Sequence, residues 1–179
     1  PPIIDDLEFS QNEDTSINIY PEGNDIEGSA LEFLYEDPSN GILSISDSTL
    51  IYTPDPNFNG LDSFTYRAFD GEDYSDTATI TININSINDP PTIDSIPDHV
   101  IEEGSNFLYV LNSNDIDGDI LSYSYQINEE IDASINGNLL TISFDLDYNG
   151  EIQVEAFVSD GEYVDSDSFR IIVTPVNDS

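Results

Sequence analysis

The chain has 179 residues, of which 38 are acidic and only two, Arg67 and Arg170, are arginine or lysine, so that its formal net charge is −36 at pH 7. A charge of this sign excludes nucleic acid and anionic membrane as partners and leaves cations as the natural counterpart. Hydrophobic residues make up 37% of the sequence, which is enough for a folded core, and the absence of cysteine excludes disulfides and thiol chemistry.

Apolar and polar side chains alternate along residues 64–69, 76–85 and 151–158. This pattern is typical of β-strands that pack one face on a core and expose the other. No segment combines helical apolar spacing with capping residues, so we predict an all-β fold. The side chains expected to face a core are Phe64, Tyr66, Ala68, Ala78, Ile80, Ile82, Ile84, Ile152, Val154, Ala156 and Val158.

Asn-Gly and Asp-Gly pairs separate these segments and predict tight turns. They stand at residues 40–41, 59–60, 70–71, 136–137, 149–150 and 160–161. Several short strands at this spacing are typical of a β-sandwich, and we expect about seven strands in each half of the chain.

The second half of the sequence repeats the first. Pro1-Pro2 matches Pro90-Pro91 and Glu13 matches Glu102, both at an offset of 89. The second half then contains one inserted residue, so that matching positions lie 90 residues apart until the end of the repeat, where the separation is again 89. The later matches are 25–28 with 115–118, 55 with 145, 59–60 with 149–150, 70–72 with 160–162, and 88–89 with 177–178. We therefore predict two tandem domains, residues 1–88 and 89–179, excised from a longer array.

The predicted boundary is the phrase Asn88-Asp89-Pro90-Pro91. Two successive prolines fix φ twice and remove two backbone donors, and a residue before proline is restricted to extended conformations. We expect a short, stiff linker that sets the two domains end to end.

The repeated acidic residues flank turns rather than strand centres, and the loops of a sandwich gather at its two ends. Acidic groups gathered at one end repel one another unless a cation binds between them. Ca²⁺ fits best, because it takes roughly six to eight oxygen ligands in flexible geometry. Zn²⁺ would require His or Cys, and His99, expected at the surface, is the only such residue. The alternative is that the acids form only a solvated surface.

Residues 115–126 do not fit an EF-hand loop, since glycine stands at the fourth position and Gln126 at the twelfth. The set of motifs instead resembles cadherin-like repeats of the bacterial tandem kind, over essentially the whole chain. The residues that carry the resemblance are the linker Asn88-Asp89-Pro90, an early glutamate, Asp115-Ile116-Asp117, and the phrase Tyr52-Thr53-Pro54-Asp55, Phe58-Asn59-Gly60, Asp62-Ser63-Phe64, Tyr66 and Asp70-Gly71.

This resemblance implies two Greek-key β-sandwich domains of the cadherin and immunoglobulin-like class, with Ca²⁺ bound where consecutive domains meet. The implied ligands at the junction are Glu13, Asp55, Asn88, Asp89, Asp115, Asp117 and Asp160, whose six carboxylates suffice for about two or three ions. Two outer half-sites follow by the repeat: Asp25, Glu27 and Asp70, and then Glu102, Asp145, Asp147 and Asp178.

Some positions depart from the family pattern or stay outside the implied ligand set. Ser86 and Asn57 stand where the family commonly has acids, although Asp147 keeps the second of these acids in the other repeat. Asp14, Glu103 and Asp119 are not included among the expected ligands.

An enzyme is not expected, because His99 has no credible nucleophile partner and the acids recur as structural periodicity. The resemblance favours a calcium-stiffened spacer of an extracellular or cell-surface bacterial adhesin or fibre, which contacts adjacent repeats of its own chain. The alternatives are a module that recognises cell-surface carbohydrate or like repeats on other chains, and a filament subunit. No segment has the apolar length of a signal peptide or membrane span, so no membrane insertion is expected.

Overall fold

Strands form where the alternation of apolar and polar residues predicts them. The computed structural model describes residues 1–46 and 49–176. The chain divides into two units, unit 1 (Pro1–Ile87) and unit 2 (Asn88–Ser179). Within the described residues, no helix is long and apolar enough to cross a membrane.

Unit 1 is a sandwich of seven strands. They are β1 (Leu7–Asn12), β2 (Ile17–Ile19), β3 (Glu32–Tyr35), β4 (Gly41–Ser46), β5 (Thr49–Pro54), β6 (Gly60–Phe69) and β7 (Ala78–Asn85). One sheet has the order β1-β7-β6-β3 and the other β2-β5-β4. The chain crosses between the sheets after β1, β2, β3 and β5, as in immunoglobulin-like sandwiches.

Unit 2 repeats this arrangement. Its strands are β8 (Thr92–Ile93), β9 (His99–Glu102), β10 (Phe107–Val110), β11 (Ser113–Asn114), β12 (Ser122–Ile127), β13 (Asp132–Asn136), β14 (Leu139–Ser143), β15 (Gly150–Ser159) and β16 (Val164–Thr174). The main sheets are β12-β15-β16-β9 and β10-β14-β13, and β8 pairs with β11. In unit 1 the bridge between Ile3 and Asn24 takes the place of that last pair.

Each unit has its own core between its two main sheets. All eleven side chains that the alternation assigns to a core are buried, and Ile80, Ile82, Ile152 and Val154 are fully enclosed. The prediction of two all-β, immunoglobulin-like sandwiches is therefore confirmed.

The first strand of each unit runs parallel to its last strand: β1 pairs with β7, and β9 pairs with β16. The residues that follow β1 consequently lie beside those that follow β7. We call this the lower end of a unit. The opposite, upper end holds two segments in each unit. In unit 1 they are the loop before β3 and the turn after β6, and in unit 2 the loop before β12 and the turn after β15.

A buried carboxylate, Asp62 on β6, ties the loop before β4 to the core of unit 1. Its side chain accepts hydrogen bonds from the Tyr52 hydroxyl (2.8 Å) and from the backbone N–H groups of Asn40 (3.0 Å), Ser39 (3.3 Å) and Ser63 (2.9 Å). Burial, and then the bond to Asp62, raise the pKa of Tyr52 above its usual range.

His99 is not the surface residue that the sequence predicts. Its ring lies edge-on against Phe107, Tyr109 and Phe169, with centroid distances of 4.9, 5.2 and 6.1 Å. Its Nε2 is enclosed and has no hydrogen-bond partner among the described residues. The imidazole therefore packs as an aromatic group at the margin of the unit 2 core.

Candidate metal centre

Three carboxylates of one loop meet at the upper end of unit 2. Asp115, Asp117 and Asp119 each offer an oxygen, and these oxygens lie within 4.8 Å of one another. Gly118 has φ +78°, which lets the loop turn back so that the N–H of Asp119 donates to Asp115 Oδ1 (3.2 Å). The other oxygen, Asp115 Oδ2, is enclosed and has no partner among the described residues.

Both residues at the start of unit 2 reach this end of the sandwich. The backbone N–H of Asp89 donates to Asp117 Oδ2 at 2.7 Å. The side-chain amide of Asn88 donates to Asp160 Oδ2 at 2.9 Å. These bonds bring together all five predicted site residues of unit 2's upper end. Asp119, which the sequence leaves outside the ligand set, joins them.

Asp160 stabilises the turn that follows β15. Its Oδ1 accepts the N–H groups of Glu162 and Tyr163, both at 2.7 Å. Desolvation alone would raise the pKa of Asp160, but the bonds from Tyr163, Glu162 and Asn88 lower it by more, so that its pKa lies below the usual 3.8.

We expect the Asp160 carboxyl carbon, followed by ¹³C NMR in the metal-free chain, to titrate with a midpoint below 3.8. A depressed carboxyl pKa contributes stability that is present at neutral pH and is lost as the pH falls through the folded-state pKa. Asn88→Ala should raise the Asp160 midpoint, because it removes one donor to the carboxylate. The midpoint of Asp70, in the other unit, is the control; an Asp160 midpoint unchanged by Asn88→Ala would contradict the assignment.

The upper end of unit 1 repeats this arrangement with Asp25 and Asp70. Asp25 Oδ2 accepts the N–H groups of Glu27 (3.1 Å) and Ser29 (3.0 Å), and its Oδ1 is enclosed without a partner among the described residues. The N–H groups of Asp73 and Glu72 donate to Asp70 Oδ1 and lower the pKa of Asp70. Glu27 is exposed, and its tie to Asp25 is made by its backbone.

Glu13 lies at the lower end of unit 1 and is almost completely buried, with 3% of its surface exposed. Its Oε1 accepts the N–H of Ile87 at 2.6 Å, while Oε2 is enclosed and has no partner among the described residues. The neighbouring Asp14 accepts the N–H of Asn57 at 3.0 Å, so Asp14 joins the Glu13 turn to the loop that holds the exposed Asp55.

At the lower end of unit 2 the structure corrects one predicted residue. Glu103, and not Glu102, occupies the position of Glu13: its N–H donates to the Thr174 carbonyl (2.9 Å) and its Oε1 accepts the N–H of Val176 (2.6 Å). Glu13 makes the same two kinds of bond, to Asn85 and Ile87. Glu102 is exposed at the end of β9.

The error arises from the position of the inserted residue. Phe9 pairs with Ile82 in unit 1, and His99 pairs with Ile171 in unit 2. Ile82 and Ile171 are equivalent residues of the last strands, 89 positions apart, so their partners Phe9 and His99 are also equivalent and lie 90 positions apart. The inserted residue therefore precedes β9, and the counterpart of Glu13 is Glu103. Strand register decides whether a side chain faces the core or the solvent, so it identifies the equivalent glutamate more reliably than a match of residue types in the aligned sequences does.

We expect Glu103→Ala to lower the free energy of unfolding of unit 2 by roughly 1–2 kcal/mol, because the Val176 N–H loses a charged acceptor. Glu102→Ala is the matched control and should change it by less than about 0.5 kcal/mol. Urea unfolding followed by NMR signals of unit 2 measures both. Equal effects of the two substitutions would contradict the corrected register.

The other predicted residues at this end are less constrained. Asp145 and Asp147 are exposed in the turn after β14, where the N–H of Tyr148 donates to the Asp145 carbonyl at 3.0 Å. Asp178 lies outside the described residues.

The chemistry of these residues suits Ca²⁺. The side chains at each end of a unit offer oxygen ligands, and three of the carboxylates keep one enclosed oxygen that no described residue contacts through a hydrogen bond: Glu13, Asp25 and Asp115. An enclosed carboxylate oxygen without a donor is costly unless a cation or a water molecule binds it. Carboxylates, Asn side chains and carbonyls are the ligands Ca²⁺ prefers, and the chain has no cysteine for a softer metal.

The sequence of unit 1 matches a known family. Residues 1–83 match the family model described as the bacterial Ig domain. A search of curated proteins found no match.

Solved structures of cadherin domains are similar to the chain. The EC1-2 fragment of human mucin-like protocadherin has 18% identity and a TM-score of 0.63, covering 98% of this chain and 99% of that one. The EC1-2 fragment of human protocadherin-24 has 14% identity and a TM-score of 0.64, covering 95% of each chain. An endo-fucoidan hydrolase from glycoside hydrolase family 107 matches 98% of this chain with 18% identity and a TM-score of 0.44, and this chain spans only 29% of that protein. Residues 1–83 are thus similar in sequence to the bacterial Ig domain family, and the fold of the chain is that of two tandem immunoglobulin-like β-sandwiches, similar to the cadherin fragments.

Proposed function

We propose that the chain is a non-catalytic, calcium-binding repeat segment of an extracellular or cell-surface bacterial protein, in which bound Ca²⁺ stiffens the tandem array. The observation that carries this proposal is that Glu13, Asp25 and Asp115 each have an enclosed carboxylate oxygen with no hydrogen-bond partner in residues 1–46 and 49–176. The sequence motifs independently indicate these same three residues as metal ligands. A merely solvated acidic surface would leave such oxygens in water.

In unit 2 the proposed ligands are Asp115, Asp117 and Asp119, with Asp160 and the linker residues Asn88 and Asp89 held beside them by hydrogen bonds. Five of these six side chains are carboxylates, so their mutual repulsion favours cation binding. In unit 1, Glu13 bonds Ile87, the residue that precedes Asn88 in the chain. Glu13 and Asp55 are the ligands that the family resemblance implies from the first repeat, and the bond from the N–H of Asn57 to Asp14 joins their two loops.

Calorimetric titration of the metal-free chain tests the calcium site directly. We expect Ca²⁺ to bind with dissociation constants of roughly 10⁻⁴ to 10⁻³ M, and Mg²⁺ to bind more weakly because it gives up its water reluctantly. The double substitution Asp115→Asn with Asp117→Asn should abolish at least one binding event. Glu129→Gln with Glu130→Gln, which changes two exposed acids outside the proposed ligand set, is the charge-matched control. Binding that is unaffected by the double substitution would overturn the proposal.

The stiffening role requires its own experiment. We expect small-angle X-ray scattering of the 179-residue chain to give a narrow distribution of interatomic distances with Ca²⁺ and a broader one with chelator, since repulsion among unneutralised carboxylates favours a mobile linker. The same distribution in both conditions, under calorimetrically confirmed Ca²⁺ binding, would refute stiffening while leaving calcium binding intact.

A further inference from the structure

A groove of about 360 Å³ lies on the outer face of the four-stranded sheet of unit 1. Thr65 and Arg67 line it from β6, where they alternate with the buried Phe64, Tyr66 and Ala68. Leu34, opposite Arg67 on β3, and Glu36 line the other side. The N–H of Glu36 donates to the Thr65 carbonyl at 3.0 Å, which holds the two sides together.

Arg67 is unusual in this acidic chain because it forms no ion pair with any described residue. The chain has 38 acidic side chains and two arginines. The other, Arg170, bonds Asp98 at 2.6 Å and approaches Glu151 at 3.5 Å. The Arg67 guanidinium instead lies 5.2 Å from the centroid of the Tyr74 ring. A cation–π contact holds the group in place without using its N–H donors, so these can bind a ligand.

Tyr74 forms a rigid aromatic surface beside the groove. It is 50% exposed and stacks on Phe69 with a centroid distance of 4.6 Å. A backbone bridge also joins Phe69 to Tyr74, and Asp70 closes the turn between them through the N–H groups of Glu72 and Asp73. An exposed ring that is already immobilised loses little entropy when a ligand packs on it.

We propose that this groove binds a neutral oligosaccharide. A sugar hydroxyl both donates and accepts hydrogen bonds, and the groove offers both functions: donors on Arg67, an acceptor on Glu36, and the hydroxyls of Thr65 and Thr77. The C–H face of a pyranose ring is apolar and suits the exposed surface of Tyr74. A polyanionic glycan fits less well, because Glu36 stands in the groove and the net charge of −36 repels it.

The probes are neutral hexasaccharides (cellohexaose, laminarihexaose and mannohexaose) and, for comparison, anionic hexagalacturonate. They are titrated into the ¹⁵N-labelled chain in calcium-containing buffer. We expect at least one neutral hexasaccharide to shift the amide signals of Thr65, Arg67 and Tyr74. Arg67→Gln and Tyr74→Ala, each checked for a folded spectrum, should weaken that binding by roughly tenfold or more. Tyr20→Ala, which removes an aromatic ring that is 63% exposed and does not line the groove, should leave it unchanged.

Four outcomes would overturn the proposal: no shift with any neutral probe, shifts insensitive to both groove substitutions, tighter binding of hexagalacturonate, or the same shifts produced by protein concentration alone. The last would identify a second copy of the chain as the occupant. The double substitution Asp115→Asn with Asp117→Asn lies in unit 2 and should leave glycan binding unchanged. Failure of the calcium proposal is therefore distinguishable from failure of this one.

Discussion

Chelation of Ca²⁺ is expected to lower the unfolding midpoint of the chain by roughly 10–20 °C. An ion present at about 100 times its dissociation constant adds about 2.7 kcal/mol to the free energy of unfolding. In a domain of this size, each kcal/mol shifts the midpoint by roughly 4–8 °C.

The physical reason is the arrangement of carboxylates at the unit ends. Asp115, Asp117 and Asp119 hold oxygens within 4.8 Å of one another, and Glu13 and Asp25 are buried with one oxygen unpaired. Without a cation these groups repel one another and lack part of their solvation, which raises the free energy of the folded state. A bound cation removes both costs, and the unfolded chain, in which the ligands are dispersed, gains little.

Differential scanning calorimetry in about 10 mM Ca²⁺ and in excess chelator measures the shift. This Ca²⁺ concentration is about tenfold above the weakest and about 100-fold above the tightest expected dissociation constant. Mg²⁺ at equal concentration is the control for general screening of the −36 net charge. Asp115→Asn with Asp117→Asn should reduce the response to Ca²⁺ and raise the midpoint of the metal-free chain. An equal stabilisation by Mg²⁺ would show that screening, and not a coordinated ion, is responsible.

The fold could be predicted because its determinants are local. A period-two alternation identifies core and solvent faces directly, as in Ala78, Ile80, Ile82 and Ile84 on β7, and Asn-Gly and Asp-Gly pairs mark where strands begin or end. Because the second half of the sequence repeats the first, it is predicted to fold into a second β-sandwich. The short pair β8 and β11 was not predicted, because two-residue strands carry no periodicity.

The candidate site could be predicted only in part, because ligation depends on contacts between loops distant in sequence. Asp115 and Asp160 were found from their motifs. Glu103 was missed because Glu102 and Glu103 are adjacent identical letters, and only the pairing of β9 with β16 decides which of them turns inward. The sequence leaves Asp119 out of the expected set because its approach to Asp115 depends on the turn at Gly118.

Asp62 belongs to the same motif phrase that carries the family resemblance, but its place in the structure is the core of unit 1. It accepts hydrogen bonds from the Tyr52 hydroxyl and three backbone N–H groups, and only 4% of its surface is exposed. At the position 90 residues later, unit 2 has Ile152, which is fully buried. The two repeats thus fill one position by different physical means.

We expect Asp62→Ala to lower the free energy of unfolding of unit 1 by about 3–5 kcal/mol. The substitution leaves the N–H of Asn40 without its acceptor and leaves the hydroxyl of the fully buried Tyr52 only the longer bond to the Asn40 carbonyl (3.3 Å), and each buried donor that loses its partner costs roughly 1–3 kcal/mol. The loss is a large part of the roughly 5–15 kcal/mol of a typical domain. Asp62→Asn keeps the shape and one acceptor oxygen, so it should cost less than Asp62→Ala.

Urea unfolding in calcium-containing buffer, followed by NMR signals of each unit, separates the effect on unit 1 from that on unit 2. Asp73→Ala, an exposed acid of the same unit, controls for loss of negative charge and should change the free energy by less than about 0.5 kcal/mol. Because Tyr52 loses its acceptor, the double variant Asp62→Ala with Tyr52→Phe should be less destabilised than the two single effects summed. Full additivity of the two substitutions would mean that the Tyr52 hydroxyl gains nothing from Asp62, and that the motif aspartate acts through the loop amides alone.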